Sequence, residues 1–192
     1  GAILLLLIIL TDLLIGQIFR GLYYKVRSGS VYNITYGIRD CLDEVLIMGD
    51  SEVKHGLISN MITDSLAMSC HNLGLDGNNI YFQYGVLKEL LKRYTPEIII
   101  ISESIALEAE SSVTSLFPYY KDFPEVRNTI LEIAPGEKIK LLSKAYTYNS
   151  LILKIIPGII RAEPDNGGYS PLISGQNRMN YDLVPDTVYF KG

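Results

Sequence analysis

Residues 44–56 read EVLIMGDSEVKHG, and this stretch decides how the rest of the chain is read. Val45, Leu46, Ile47 and Met48 are apolar without a break, the pattern of a parallel strand buried on both faces, and Gly49-Asp50-Ser51 ends them abruptly. Leu57, Ile58, Met61, Ile62 and Leu66 then recur at helical spacing. A second short strand is expected over 67–71, running into the turn-rich NLGLDGNN. A helix over 80–94 follows, carrying Phe82, Val86, Leu87, Leu90 and Leu91 and stopped by Thr95-Pro96. The run from Glu97 to Ser102 contains four consecutive isoleucines, whose β-branched side chains suit a fully buried strand. Strand and helix alternating in this way predict a doubly wound, flavodoxin-like three-layer α/β fold with a parallel sheet and right-handed crossovers, incomplete within these residues.

Outward from that core, residues 1–22 are an apolar stretch of bilayer-spanning length, interrupted by Thr11, Asp12 and Gln17. An aspartate at mid-helix costs about 2.5–3.5 kcal/mol on insertion scales and each surrounding Leu or Ile returns about 0.3–0.6, so a retained N-terminal signal anchor is expected ahead of a cleaved signal peptide or a buried helix. Arg20 at its end and Lys25 and Arg27 just beyond it leave the orientation open on charge alone. Residues 23–43 read as an irregular link, and 44–192 as the α/β domain. Downstream, a short helix over 123–133 and a longer one over 137–156 closed by Pro157-Gly158 are expected. A loop-rich tail from Arg161 follows, with a strand start at 187–190.

One core fits 192 residues. A net charge of -4 with no basic stripe excludes a nucleic-acid surface. Cys41 and Cys70 have no metal-type spacing and read as buried free thiols, and neither a metal nor another cofactor is indicated. Glu103, Glu108, Glu110 and Asp122 read as solvated charges rather than as a glycosidase pair. The 14 tyrosines fit a polar-aromatic surface or plain amphipathic filler. Asn33-Ile34-Thr35 matches a glycosylation acceptor.

Ligands of open parallel sheets sit beyond the carboxyl ends of the strands. Two loops qualify here: Gly49-Asp50-Ser51-Glu52 and Asn72-Leu73-Gly74-Leu75-Asp76-Gly77-Asn78. A serine at the first helical position presents its hydroxyl beside backbone N–H groups able to hold an oxyanion. The same Gly-Asp-Ser is also a capping arrangement, with Asp50 or Ser51 accepting from the first helical N–H groups. VLIMGDSEVKHG, followed by SCHNLGLDGNN and LKRYTPEIIIIS, resembles in order and spacing the SGNH (GDSL-like) hydrolases, in a membrane-anchored branch found in Bacteroides-type bacteria. The match covers residues 44–102; the anchor and the stretches YKDFPEV, YTYNS and NGGYSPL are similar but less specific.

The resemblance implies that Ser51 is the nucleophile and that the N–H groups of Ser51 and Gly74 form the oxyanion hole. It implies an ester substrate, commonly an acetyl ester of a carbohydrate or lipid, and a domain held outside the inner membrane, in the periplasm. Two family blocks are missing. No Gly-x-Asn-Asp follows Ile101-Ser102-Glu103-Ser104, and no histidine follows His71 to supply the Asp-x-x-His base. The chain thus reads as an interrupted or a degenerate member. Asp50, His55, His71, Asn72 and Asp76 are candidates to line the mouth. His55, one turn beyond Ser51, is the nearest substitute base, against a plain surface histidine. The alternative function is a non-catalytic extracytoplasmic binding or assembly protein on the same fold.

Overall fold

The computed structural model describes residues 1–102, 110–160 and 166–172; the strand start expected at 187–190 and the acidic residues Glu103 and Glu108 lie outside them. Three parallel strands, β1 (Val45–Met48), β2 (Cys70–Asn72) and β3 (Ile98–Ile101), form a sheet in the order β2-β1-β3. Val45 pairs with Cys70 on one side and Ile98 on the other, so the three strands start level. The Gly-Asp-Ser turn and the Asn72 loop therefore leave the sheet at one edge, as the alternation of strand and helix requires.

Helices α1 (Ala2–Tyr23), α2 (Gly29–Arg39), α3 (Ser51–Gly56), α4 (Ser59–Leu66), α5 (Ile80–Leu90), α6 (Pro124–Ile133) and α7 (Ile152–Ile160) surround it, with 3₁₀ helices at Glu110–Tyr119, Pro135–Leu142 and Tyr146–Leu151. Leu46 and Met48 point into the main core with Phe82, Val86, Leu116, Val126 and Ile130. Val45 and Ile47 point the other way, into a small cluster with Val53 and Cys70, against which Ile62 and Met68 pack. That second layer is thin: Ile98 and Ile100 of β3 remain partly open, as does Ile101. The isoleucine run was expected to be buried on both faces, but among the described residues nothing continues the sheet beyond β3. Both cysteines are buried free thiols, and burial pushes each up to about 11.

The stretch 23–43 is not an irregular link. It holds α2, which buries Val31, Ile34 and Ile38 in the main core, a contribution of about 1.5–3 kcal/mol for each large side chain. Its C-terminal end is held from outside: the Arg93 guanidinium donates to the carbonyls of Gly37, Ile38 and Cys41, each at 3.0 Å. A cation there complements the helix dipole and pairs carbonyls that have no intrahelical partner. Asn33 is buried, its Nδ2 donating to Asn72 O, so the glycosylation motif is a core contact.

The single helix expected over 137–156 is also broken, into two 3₁₀ helices and α7, and Pro157-Gly158 lies inside α7 rather than after it. The cause is Asp12 of α1. Its carboxylate accepts from Ser143 Oγ (2.5 Å), Lys144 N (2.8 Å) and Ala145 N (3.1 Å), drawing off backbone donors that a continuous helix would use. Gly16 lies against Lys144, where a Cβ would fall 2.6 Å from the Lys144 carbonyl carbon, so only glycine admits this approach. Arg20 then forks onto Asp122, to which Tyr24 also donates. The tyrosines nearby are core, not surface: Tyr23 donates to Tyr119 at 2.9 Å, and Tyr119 shares a 2.8 Å hydrogen bond with Thr35. The apolar helix is thus docked along its C-terminal half and bare from Ile3 to Leu10. It is long and apolar enough to cross a membrane.

Candidate functional site

At the carboxyl end of β1 the chain must turn from strand into helix within two residues. Gly49 permits this, since a Cβ there would fall 2.2 Å from Val53 Cγ2. Its carbonyl accepts from Leu75 N (3.1 Å) and Gln83 Nε2 (2.7 Å), which ties the first loop to the second. Asp50 caps α3, its Oδ1 accepting from Glu52 N at 2.9 Å. The capping role therefore falls to Asp50, and Ser51, exposed at the first helical position, is not used as a cap. Among the described residues none hydrogen-bonds the Ser51 hydroxyl.

The second loop is organised by Asn72, which is fully buried. Its Nδ2 donates to the carbonyls of Val53 (2.7 Å), which also accepts from Leu57 N, and of Leu57 (2.8 Å) just past the end of α3, and its Oδ1 accepts from Gly74 N (2.8 Å). The N–H expected to serve the oxyanion is thus turned onto Asn72. Gly74 is also explained by packing, because a Cβ there would fall 2.5 Å from Lys54 N. Asn72 was expected to line the mouth; instead it is the buried joint beneath it.

The two histidines are both engaged. His71 is 2% exposed, its Nε2 on Asn33 Oδ1 at 2.5 Å and its ring 4.7 Å from that of Tyr36. It sits under α2, away from solvent. His55 Nε2 meets Asp76 Oδ1 at 2.8 Å and its Nδ1 meets the Ser170 carbonyl at 2.5 Å. Both partners are acceptors, so satisfying both takes both ring N–H groups and leaves no lone pair to take the proton of Ser51. Ser51, His55 and Asp76 have the composition of a catalytic triad but not its geometry.

What turns His55 is the segment 166–172, which its Gly, Pro and Asn content marks only as loop. It runs along β2, with Asn72 N donating to Gly167 O (2.8 Å), and then crosses α3, with Ser170 N donating to Lys54 O (3.1 Å). Gly167 and Gly168 take left-handed φ of 61° and 81°, and a Cβ on Gly168 would meet the Asn72 carbonyl oxygen, so this close passage demands glycine. The NGGYSP order of residues was the available signal. A cavity of about 150 Å³ lies behind the strap, lined by Arg27, Tyr32, Asn33, Lys54 and Tyr169 among others, and Ser51 is not part of it.

Asp76 meets two nitrogens, the Nζ of the buried Lys54 and His55 Nε2. Burial raises its pKa, but the hydrogen bonds and charges of Lys54 and His55 outweigh this and hold the carboxyl below its ordinary value. With the folded value depressed, the contribution to stability is complete above the unfolded pKa of about 3.9 and is lost as pH falls through the folded value. An Asp76→Asn variant is accordingly expected to show a shallower loss of stability below about pH 4, measured by thermal unfolding across pH. An acid limb identical to that of the parent would remove Asp76 from this account. No group of His, Cys, Asp and Glu suited to a metal occurs among the described residues. Comparison of the chain with protein-family models, with curated proteins and with solved structures gives no match.

Proposed function

We propose that this chain carries the nucleophile half of an SGNH-like acyl-transfer site, on a flavodoxin-like three-layer sheet held outside the inner membrane by α1. Ser51 attacks the carbonyl of an ester, commonly an acetyl ester of a carbohydrate or lipid, with its own N–H at the start of α3 facing the oxyanion; collapse breaks the ester C–O bond, the alcohol leaves with the proton that Ser51 gave up, and water or an acceptor alcohol then takes the acyl group from Ser51. The observation that carries this reading is the spare Ser51 hydroxyl: exposed at the carboxyl end of the central strand, with capping already performed by Asp50. The described residues offer Ser51 no base, because His55 is turned to Asp76 and Ser170 and His71 is buried. The proton acceptor then comes from outside them.

Added imidazole tests this, since a small base can stand in for an absent histidine. With p-nitrophenyl acetate as substrate, the detergent-solubilised chain is expected to hydrolyse slowly alone and faster as imidazole is added, beyond the imidazole background. Ser51→Ala abolishes the increment. Equal rates for the parent and Ser51→Ala at every imidazole concentration would sink the nucleophile. The second reading, a non-catalytic binding or assembly protein, would then stand, favoured by the same closure of the mouth by Lys54, His55, Asp76 and Ser170.

A further inference from the structure

We propose that the 3₁₀ helix Pro135–Leu142 and the loop after it form a second membrane contact: a collar of Ile139, Leu142 and Tyr146, set among Lys138, Lys140 and Lys144, resting on an anionic bilayer where α1 leaves the domain. The proposal rests on the reading of α1 as an anchor and fixes how deep that anchor reaches.

Asp12 marks the level. Ile3 through Leu10 are all exposed, and the loop 143–145 first meets α1 at Asp12 and again at Gly16, while Leu13, Leu14 and Ile18 remain exposed. Leu142 adjoins that clasp and is 74% exposed; Ile139 is 75% exposed. Three residues apart on a 3₁₀ helix, their side chains eclipse and share one face, while Leu141 between them turns inward to the core. Tyr146, also exposed, stands on the other side of the clasp with its N–H on Ser143 Oγ. Two large aliphatic groups and a tyrosine beside the root of an apolar helix, with lysines at 138, 140 and 144, are the composition of an interfacial surface: apolar side chains enter the headgroup boundary, tyrosine sits at it, and ammonium groups face anionic lipid. Glu137 offsets one of these charges through Lys140. Leu142 and Tyr146 flank the loop bonded to Asp12 at the foot of the exposed apolar stretch of α1, which favours bilayer over protein as their occupant.

The geometry sets a depth. With the collar at the interface, residues 2–11 rise about 15 Å at 1.5 Å each, about half of a hydrocarbon core of about 30 Å. Leu4 then lies near the bilayer centre.

The test uses the full chain in vesicles of phosphatidylcholine and phosphatidylglycerol, with an environment-sensitive fluorophore on Leu4→Cys, Leu142→Cys or Leu66→Cys. The buried Cys41 and Cys70 stay unlabelled in the native state. The Leu142 label is expected to shift to the blue and to be quenched by lipids with nitroxide near the headgroup. The Leu4 label should be quenched by lipids with nitroxide deep in the chain, and the Leu66 label by neither. A Leu142 label as wet as that on Leu66, with Leu4 still quenched at depth, overturns the collar and leaves the anchor. A Leu4 label that no lipid quencher reaches overturns the anchor itself. Equal shielding of Leu142 in vesicles of phosphatidylcholine alone would overturn the role given to the lysines.

Discussion

Replacing Asn72 by aspartate is expected to destabilise the domain by about 4 kcal/mol, more than replacing it by alanine, at about 2–3 kcal/mol. The amide does three things at once. It donates to Val53 O and Leu57 O, and accepts from Gly74 N, with no access to water. Alanine leaves the Leu57 carbonyl and the Gly74 N–H without these partners, and Val53 O with Leu57 N alone. Aspartate keeps the acceptor for Gly74 but sets a second oxygen against two carbonyl oxygens, which either repel it or force it to bind a proton and satisfy only one of them. Thermal unfolding reads the result, since each kcal/mol shifts the midpoint by about 2–4 °C at this chain length. The order of the two variants is diagnostic. If alanine costs as much as aspartate, the joint is held by packing and not by its hydrogen bonds.

That the sheet was legible and the joint was not has a physical cause. Val45 to Met48 and Ile98 to Ile101 announce themselves because a strand is a local pattern of apolar and β-branched side chains, and the parallel pairing follows from the helices between them. The position of Ser51 was legible for the same reason: it follows from where β1 ends. Helix α2 escaped although Val31, Ile34 and Ile38 recur at helical spacing, because Gly29, Ser30, Asn33 and Gly37 among them read as loop, and the last carbonyls are paired by Arg93, 52 to 56 residues along the chain. The break in the helix expected over 137–156 depends on Asp12, more than 130 residues away. Likewise, nothing local to His55 says that the Ser170 carbonyl will take one of its nitrogens. Contacts of this range leave no periodicity in the residues that make them. Glycine does leave a trace, and the Gly167-Gly168 pair marked a close passage whose partner only the fold supplies.

Gly74→Ala is the second large effect, expected at about 2–3 kcal/mol, the cost of forcing extra volume into a packed site. The new Cβ would stand 2.5 Å from Lys54 N and 2.9 Å from Lys54 Cα, both backbone atoms of α3. That backbone cannot give easily: Lys54 N is bonded to Asp50 O, and Lys54 O accepts from Ser170 N. Relief therefore comes from moving α3 as a body, and Ser51 moves with it. A glycine kept solely to donate its N–H would behave differently, because alanine retains that N–H and would leave the fold intact. Unfolding and the imidazole-dependent, Ser51-dependent rate, measured on the same variant, separate the two roles. A fall in both places Gly74 in the packing that positions the nucleophile. An unchanged midpoint, within about 0.5 kcal/mol, would overturn the packing role and leave the Gly74 N–H free to turn from Asn72 to an oxyanion.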